Sequence, residues 1–154
     1  MKRAVAGLAV VAVVAGCGAY TKADFTASAD AICASAIHQT RSIAPPTFSS
    51  SKQAQLRALS RYLTKALPVV QSEAAHIRAL QRPSEDARYR AVLKRYLTAL
   101  AQSVSDYREL SEAASRGDAA GVAEAEAALR VSPVTSLATS YGLRSCETPG
   151  ATVA

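Results

Sequence analysis

The chain has 154 residues, 49% of them apolar, and a formal charge of +6. This is enough for one domain with a buried core, and too polar for an integral membrane protein. Its richness in Ala, Leu and Arg, with 7 Gly, favours helix over strand.

Met1, Lys2 and Arg3 form a short positive segment before AVAGLAVVAVVA, an unbroken apolar run at 4–15. Twelve helical residues rise about 18 Å, well short of a hydrocarbon core of roughly 30 Å, so the run reads as a signal segment rather than a spanning helix. The next four residues to consider, VAGC at 14–17, resemble the bacterial lipobox: an aliphatic residue, a small residue, Gly or Ala, then Cys. That resemblance to lipoproteins implies a diacylglyceryl thioether on Cys17, signal-peptidase cleavage between Gly16 and Cys17, and acylation, such as by palmitate, of the new amino group. A thiol supplies the nucleophile, and small residues let extended backbone enter a protease site within the membrane. Two or three acyl chains anchor stably because each buried CH₂ contributes about 0.8 kcal/mol. The implied location is the cell membrane, lipid-anchored and facing outside the cytoplasm. Losing Lys2 and Arg3 with the leader lowers the charge from +6 to +4.

Residues 17–23 read as a lipidated tether. A first helix is expected over 24–43, with Phe25, Ala29, Ile32, Ala36, Ile37 and Ile43 at helical spacing and Pro45-Pro46 ending it. The loop APPTFSSS at 44–51 closes on a Ser able to cap the next helix. Over 52–80, Leu56, Leu59, Leu63, Leu67, Val70, Ala74, Ile77 and Leu80 define one amphipathic face, within which Pro68 predicts a kink or break near Leu67. Ser84 is the expected cap of a third helix, with Glu85 and Asp86 in its first turn. That helix carries Tyr89, Val92, Leu93, Tyr96, Leu97, Leu100, Val104, Tyr107 and Leu110 on its apolar side, and runs to about Ser115. Arg116-Gly117-Asp118 then stops one helix and starts another over 119–141, which Ser132-Pro133 divides, with Ser132 as cap and Pro133 at the first helical position. Gly142 is a C-cap signal with Leu143 folding back behind it, and 147–154 reads as a flexible tail. The fold class expected for 24–146 is all-α, an up-down-up-down four-helix bundle with kinked helices. RYLT recurs at 61–64 and 95–98, but its flanks do not repeat, so it marks two similar helix turns rather than a helical-repeat array.

Charge is unevenly spread. Residues 52–95 hold ten basic side chains against Glu73, Glu85 and Asp86, whereas 106–126 hold six acidic ones against Arg108 and Arg116. Solvated faces whose charges complement each other between neighbouring helices are the expectation. The other reading is a basic face for anionic lipid headgroups or cell-wall polymers. Nucleic acid is a poor partner for an exported chain.

With Cys17 committed to lipid, Cys33 and Cys146 remain as an even pair in an oxidising compartment, and antiparallel helices would bring them together. Free thiols or a metal site are the alternatives, both disfavoured by the absence of C-x-x-C spacing. The segment SADAICASA at 28–36, the Pro-interrupted second helix and the closing GLRSC at 142–146 resemble small helical exported proteins of actinobacteria. This resemblance supports the Cys33 to Cys146 pairing and implies no activity.

Catalytic signals are thin. Glu73-Ala-Ala-His76 has the i, i+3 spacing of ferritin-like di-iron ligands, but such sites use the motif twice, and His38 lacks a partner Glu. Glu73 also sits beside the stripe residue Ala74 rather than central in the stripe. The pair therefore reads as polar surface residues, a weak metal candidate, and neither catalytic residues nor cofactors are expected. Tyr62, Tyr89, Tyr96, Tyr107 and Tyr141 read as core residues with hydroxyls at the rim. The functional expectation is a lipid-anchored envelope lipoprotein, not an enzyme, whose helical domain serves interaction or structure with an envelope-protein or cell-wall partner. A carrier or sensor of a small apolar ligand, held in a cavity opened at Pro68, is the alternative.

Overall fold

The computed structural model describes residues 19–47, 51–84 and 86–147. The expected leader, the Gly16–Cys17 cleavage site, the lipidated Cys17 and the tail at 148–154 lie outside the described residues. Five α-helices follow in order: α1 (Lys22–Arg41), α2 (Lys52–Ala79), α3 (Ala87–Arg116), α4 (Ala119–Arg130) and α5 (Val134–Tyr141), closed by a 3₁₀ turn at Ser145–Glu147. No described helix is long and apolar enough to cross a membrane.

The helices form an up-down-up-down bundle whose fourth member is the pair α4 and α5. α3 is its spine, packing against α2, α4 and α5, while α1 packs on α2 and on the 3₁₀ turn. Two apolar layers result. The upper one gathers Phe25, Ala29 and Cys33 of α1, Ala74 and Ile77 of α2, Leu93, Tyr96 and Leu100 of α3, and Leu137, Ala138 and Tyr141 of α5. Phe25 meets Tyr141 edge-to-face at 5.7 Å between ring centroids. The lower layer has three helices: Leu56, Leu59 and Leu63 of α2, Leu110 and Ala113 of α3, and Val122 and Ala125 of α4.

Local chemistry sets the helix ends. Thr21 and Asp24 form a reciprocal capping box that starts α1 at Lys22, two residues before the expected start at 24, because the box satisfies two backbone donors at once. The cap of α3 is Asp86 rather than Ser84: its Oδ1 accepts from the Tyr89 amide at 3.2 Å, and a carboxylate serves the positive helix end better than a hydroxyl. Ser84 is used differently, its amide donating to the Tyr20 carbonyl at 3.1 Å. Gly117 ends α3 at φ +70°, and Asp118 caps α4 by accepting from the Ala120 and Gly121 amides at 3.1 and 3.0 Å.

α4 and α5 part at Ser132-Pro133 as expected, but Pro133 stands at the cap position with no side-chain cap. The Ser132 hydroxyl is instead engaged with that of Ser103 on α3, 2.8 Å away. α2 passes Pro68 as one uninterrupted helix. Pro68 is exposed, so its ring faces water, and the helix is held on both sides of it by buried Leu63, Ala66, Ala74 and Ile77.

The C-terminal closure follows the sequence closely. Gly142 at φ +96° ends α5, the Leu143 amide turns back to the Ala138 carbonyl at 3.0 Å, and the Leu143 side chain is fully buried, as in a Schellman ending. Cys33 and Cys146 are bonded, with Cα atoms 5.2 Å apart and a sequence separation of 113. The Ser145 amide donates to Asp30 Oδ1 at 2.8 Å, fastening the same segment to α1.

Candidate functional site

Two open grooves hold the chemistry that the fold brings together. The smaller, about 300 Å³, lies between α1 and α2 and is lined by Ile32, Ser35 and Gln39 from the first and Val69, Glu73 and His76 from the second. Glu73 and His76 thus face one cleft, as i, i+3 spacing demands, but they sit differently. His76 is exposed, with Nδ1 3.4 Å from the Ser72 hydroxyl. Glu73 is partly buried, and burial pushes its carboxyl from the ordinary 4.5 to about 7. It is therefore no simple surface residue. α2 turns Glu73 inward, beside Ala74, far enough that its charge is felt by two tyrosines of α3. Burial raises the Tyr96 phenol well above its usual range, and the carboxylates of Glu73 and Asp30 raise it further. Tyr107 is raised by burial, then by Tyr62 and Glu73. Among the described residues, no group of three His, Cys, Asp or Glu side chains stands close enough to hold a metal ion. Glu73 and His76 are thus two ligand types without a third, and their cleft offers a proton-binding carboxyl whose charge acts on Tyr96 and Tyr107.

The larger groove, about 670 Å³, runs where the end of α2 meets the first half of α3. Arg78, Arg82, Arg90 and Lys94 line it, over a floor made by Pro83, Leu93, Leu97 and Ala101. Positions 90, 94, 97, 98 and 101 fall three or four apart, so one flank of α3 carries cations at its start and apolar side chains after them. Arg82 is oriented by its own helix end, donating to the Arg78 carbonyl at 2.8 Å and more weakly to that of Leu80 at 3.4 Å. Among the described residues, neither Arg78 nor Lys94 is in an ion pair; the pair formed by Arg116 and Glu112 at 3.8 Å lies within α3, at its other end. The expected matching of charges between helices is thus not built as ion pairs around these side chains. The sequence did show the basic excess over 52–95, but not that the bend between α2 and α3 would collect its second half around an apolar floor.

One polar group is placed unexpectedly. Asp106, counted in sequence among the solvated acids, is 5% exposed and accepts from Gln102 Nε2 at 2.8 Å. Ser103 is buried one turn before it. The inner face of α3 therefore passes through Ala99, Ser103, Asp106 and Leu110, rotated from the expected line through Val104 and Tyr107, which pack only partly buried against the core.

Comparison with protein-family models, with curated proteins and with solved structures finds no match to this chain.

Proposed function

We propose that this chain is a bacterial lipoprotein, held on the outer face of the cell membrane by acyl chains on Cys17, whose helical bundle works at the membrane surface by binding rather than by catalysis. The observation that carries the reading is the agreement of three features in the first seventeen residues: the positive start, the twelve-residue apolar run and the VAGC box. The bundle suits such a role. The start of the described bundle is docked, Tyr20 packing on the upper core and its carbonyl accepting from Ser84, so few residues in sequence separate Cys17 from the domain. The disulfide fits an oxidising location outside the cytoplasm. A binding role is favoured by the two grooves, the larger of which combines cations with an apolar floor.

The test is intact-mass spectrometry of the protein recovered from membranes, beside its Cys17→Ser variant. The expected wild-type mass begins at Cys17 and carries a diacylglyceryl group, with or without a further acyl chain. The variant should persist as a full-length precursor. A wild-type chain that starts elsewhere and carries no lipid refutes the reading.

A further inference from the structure

The α2–α3 groove lies at a particular end of the bundle. Ser84 in the α2–α3 turn is bonded to Tyr20 at 3.1 Å, and the Lys22 ammonium at the start of α1 lies 3.8 Å over the ring of Tyr89 at the start of α3. Three peptide steps separate Cys17 from Tyr20, a reach of at most about 10 Å. An anchor on Cys17 would therefore hold this end at the level of the lipid headgroups. It is also the end where Arg78, Arg82, Arg90 and Lys94 line the groove, with Arg88 exposed. The opposite end mixes Glu112, Asp118 and Glu124 with Lys52, Arg57 and Arg116. Bacterial anchoring, position and charge thus agree, since juxtamembrane cations are drawn to an anionic leaflet within a Debye length of its surface.

The apolar floor adds a second requirement. Leu93 belongs to the core, but Leu97 and Ala101 are only partly buried beneath these cations, and a soluble anion would gain nothing from their apolar surface. A ligand with an anionic head and an apolar body satisfies both halves, and anionic cell-wall polymers satisfy only one. Resting on the anchored reading above, we infer that this groove binds an anionic phospholipid, its phosphate held by Arg78, Arg82 and Lys94 and the start of its acyl chains on Leu97 and Ala101. The bundle is then fixed to the bilayer at two points, covalently through Cys17 and reversibly through the groove.

The test uses the processed protein purified from whichever cell fraction holds it, in non-ionic detergent, titrated with dioctanoyl phosphatidylglycerol and followed by the amide NMR signals of Leu97, Thr98 and Ala101. Saturable shifts confined to the groove are expected. The double variant Arg78→Glu, Lys94→Glu should bind at least tenfold more weakly, Arg78→Lys, Lys94→Arg should bind as wild type, and Lys52→Glu, Arg57→Glu at the far end should leave affinity unchanged. Equal shifts with dioctanoyl phosphatidylcholine, the same saturation by inorganic phosphate, preference for poly(glycerol phosphate), or no shift at all would each overturn the inference. The intact mass of the same sample reads the anchor independently: a non-acylated chain that binds the lipid removes the anchored reading alone, and an acylated chain that does not bind removes the groove alone.

Discussion

The amide of Ser84 donates to the carbonyl of Tyr20 at 3.1 Å, joining the turn between α2 and α3 to the segment that enters α1. Together with the packing of Tyr20 and Phe25 on the upper core, this bond sets the start of α1 at the same end as that turn. It leaves the lower, three-helix layer at the far end, together with the Gly117 turn. Lys22 over Tyr89, and the groove lined by Arg82 and Arg90, lie toward the α2–α3 turn.

Glu73 makes the fold sensitive to pH. Burial pushes its carboxyl from the ordinary 4.5 to about 7 in the folded protein, and its charge acts on Tyr96 and Tyr107 of α3, with Asp30 of α1 acting on Tyr96 as well. The folded state then binds the proton more tightly than the unfolded chain, so stability falls as pH rises from 4.5 to about 7 and is level on either side. The difference is roughly 2 to 3 kcal/mol. Glu73→Gln should remove this slope, raising stability at pH 8 by roughly 1 to 3 kcal/mol and changing it little at pH 4. Urea denaturation at a series of pH values reads both numbers, and an unchanged slope in the variant would contradict the assignment.

The disulfide closes a loop spanning nearly the whole bundle, at a sequence separation of 113. Replacing Cys33 and Cys146 together by Ser should cost about 2 to 5 kcal/mol. The loss should concentrate in the upper layer, since Cys146 and Leu143 pack there with Phe25 and Tyr141. Thermal denaturation gives the total, and hydrogen exchange should show α1 and α5 opening before the lower half of α3.

Gly142 separates backbone strain from crowding. A Cβ there would meet nothing within 4 Å, yet its φ is +96°. Gly142→Ala should therefore destabilise by about 1 to 2 kcal/mol through the left-handed conformation alone, and Gly142→Asn should recover part of it. Equal stability of the glycine and alanine proteins would show that this helix ending is not held as described.

Pro68 is exposed within a continuous α2. Its ring removes the donor that would serve the Thr64 carbonyl. Pro68→Ala should stabilise the protein by about 1 to 3 kcal/mol, measurable as a higher melting temperature. A lower one would assign the proline a packing role.

The apolar periodicity made the all-helical bundle legible, as did Gly117 and Gly142, whose left-handed positions no other residue type fills as easily. Cap assignments were less so, because Ser84, Asp86 and Ser132 are all competent caps and tertiary partners decide among them: Ser84 is drawn to Tyr20 and Ser132 to Ser103. Pro68 announces a break that packing on both sides overrides. Asp106 counts by residue type among the solvated acids and Glu73 sits at the edge of its apolar stripe, yet Asp106 is buried on the inner face of α3 and Glu73 is partly buried on α2. Nothing in a one-dimensional pattern tells which side of a stripe gains a second partner. The basic groove is legible only as an excess of Arg and Lys over 52–95, since its apolar floor comes from α3 and two of its arginines from the end of α2.

The orientation of the bundle on the membrane is the claim most directly open to measurement. Ser84 and Ser115 are both exposed and lie at opposite ends of α3, a helix of 30 residues spanning about 45 Å. A fluorophore attached through Ser84→Cys or Ser115→Cys can report proximity to quencher-bearing lipid headgroups once the lipidated protein is in vesicles. Strong quenching at position 84 and little at 115 is predicted. Equal quenching at both sites, or stronger quenching at 115, would contradict an anchor that holds the α2–α3 end against the bilayer.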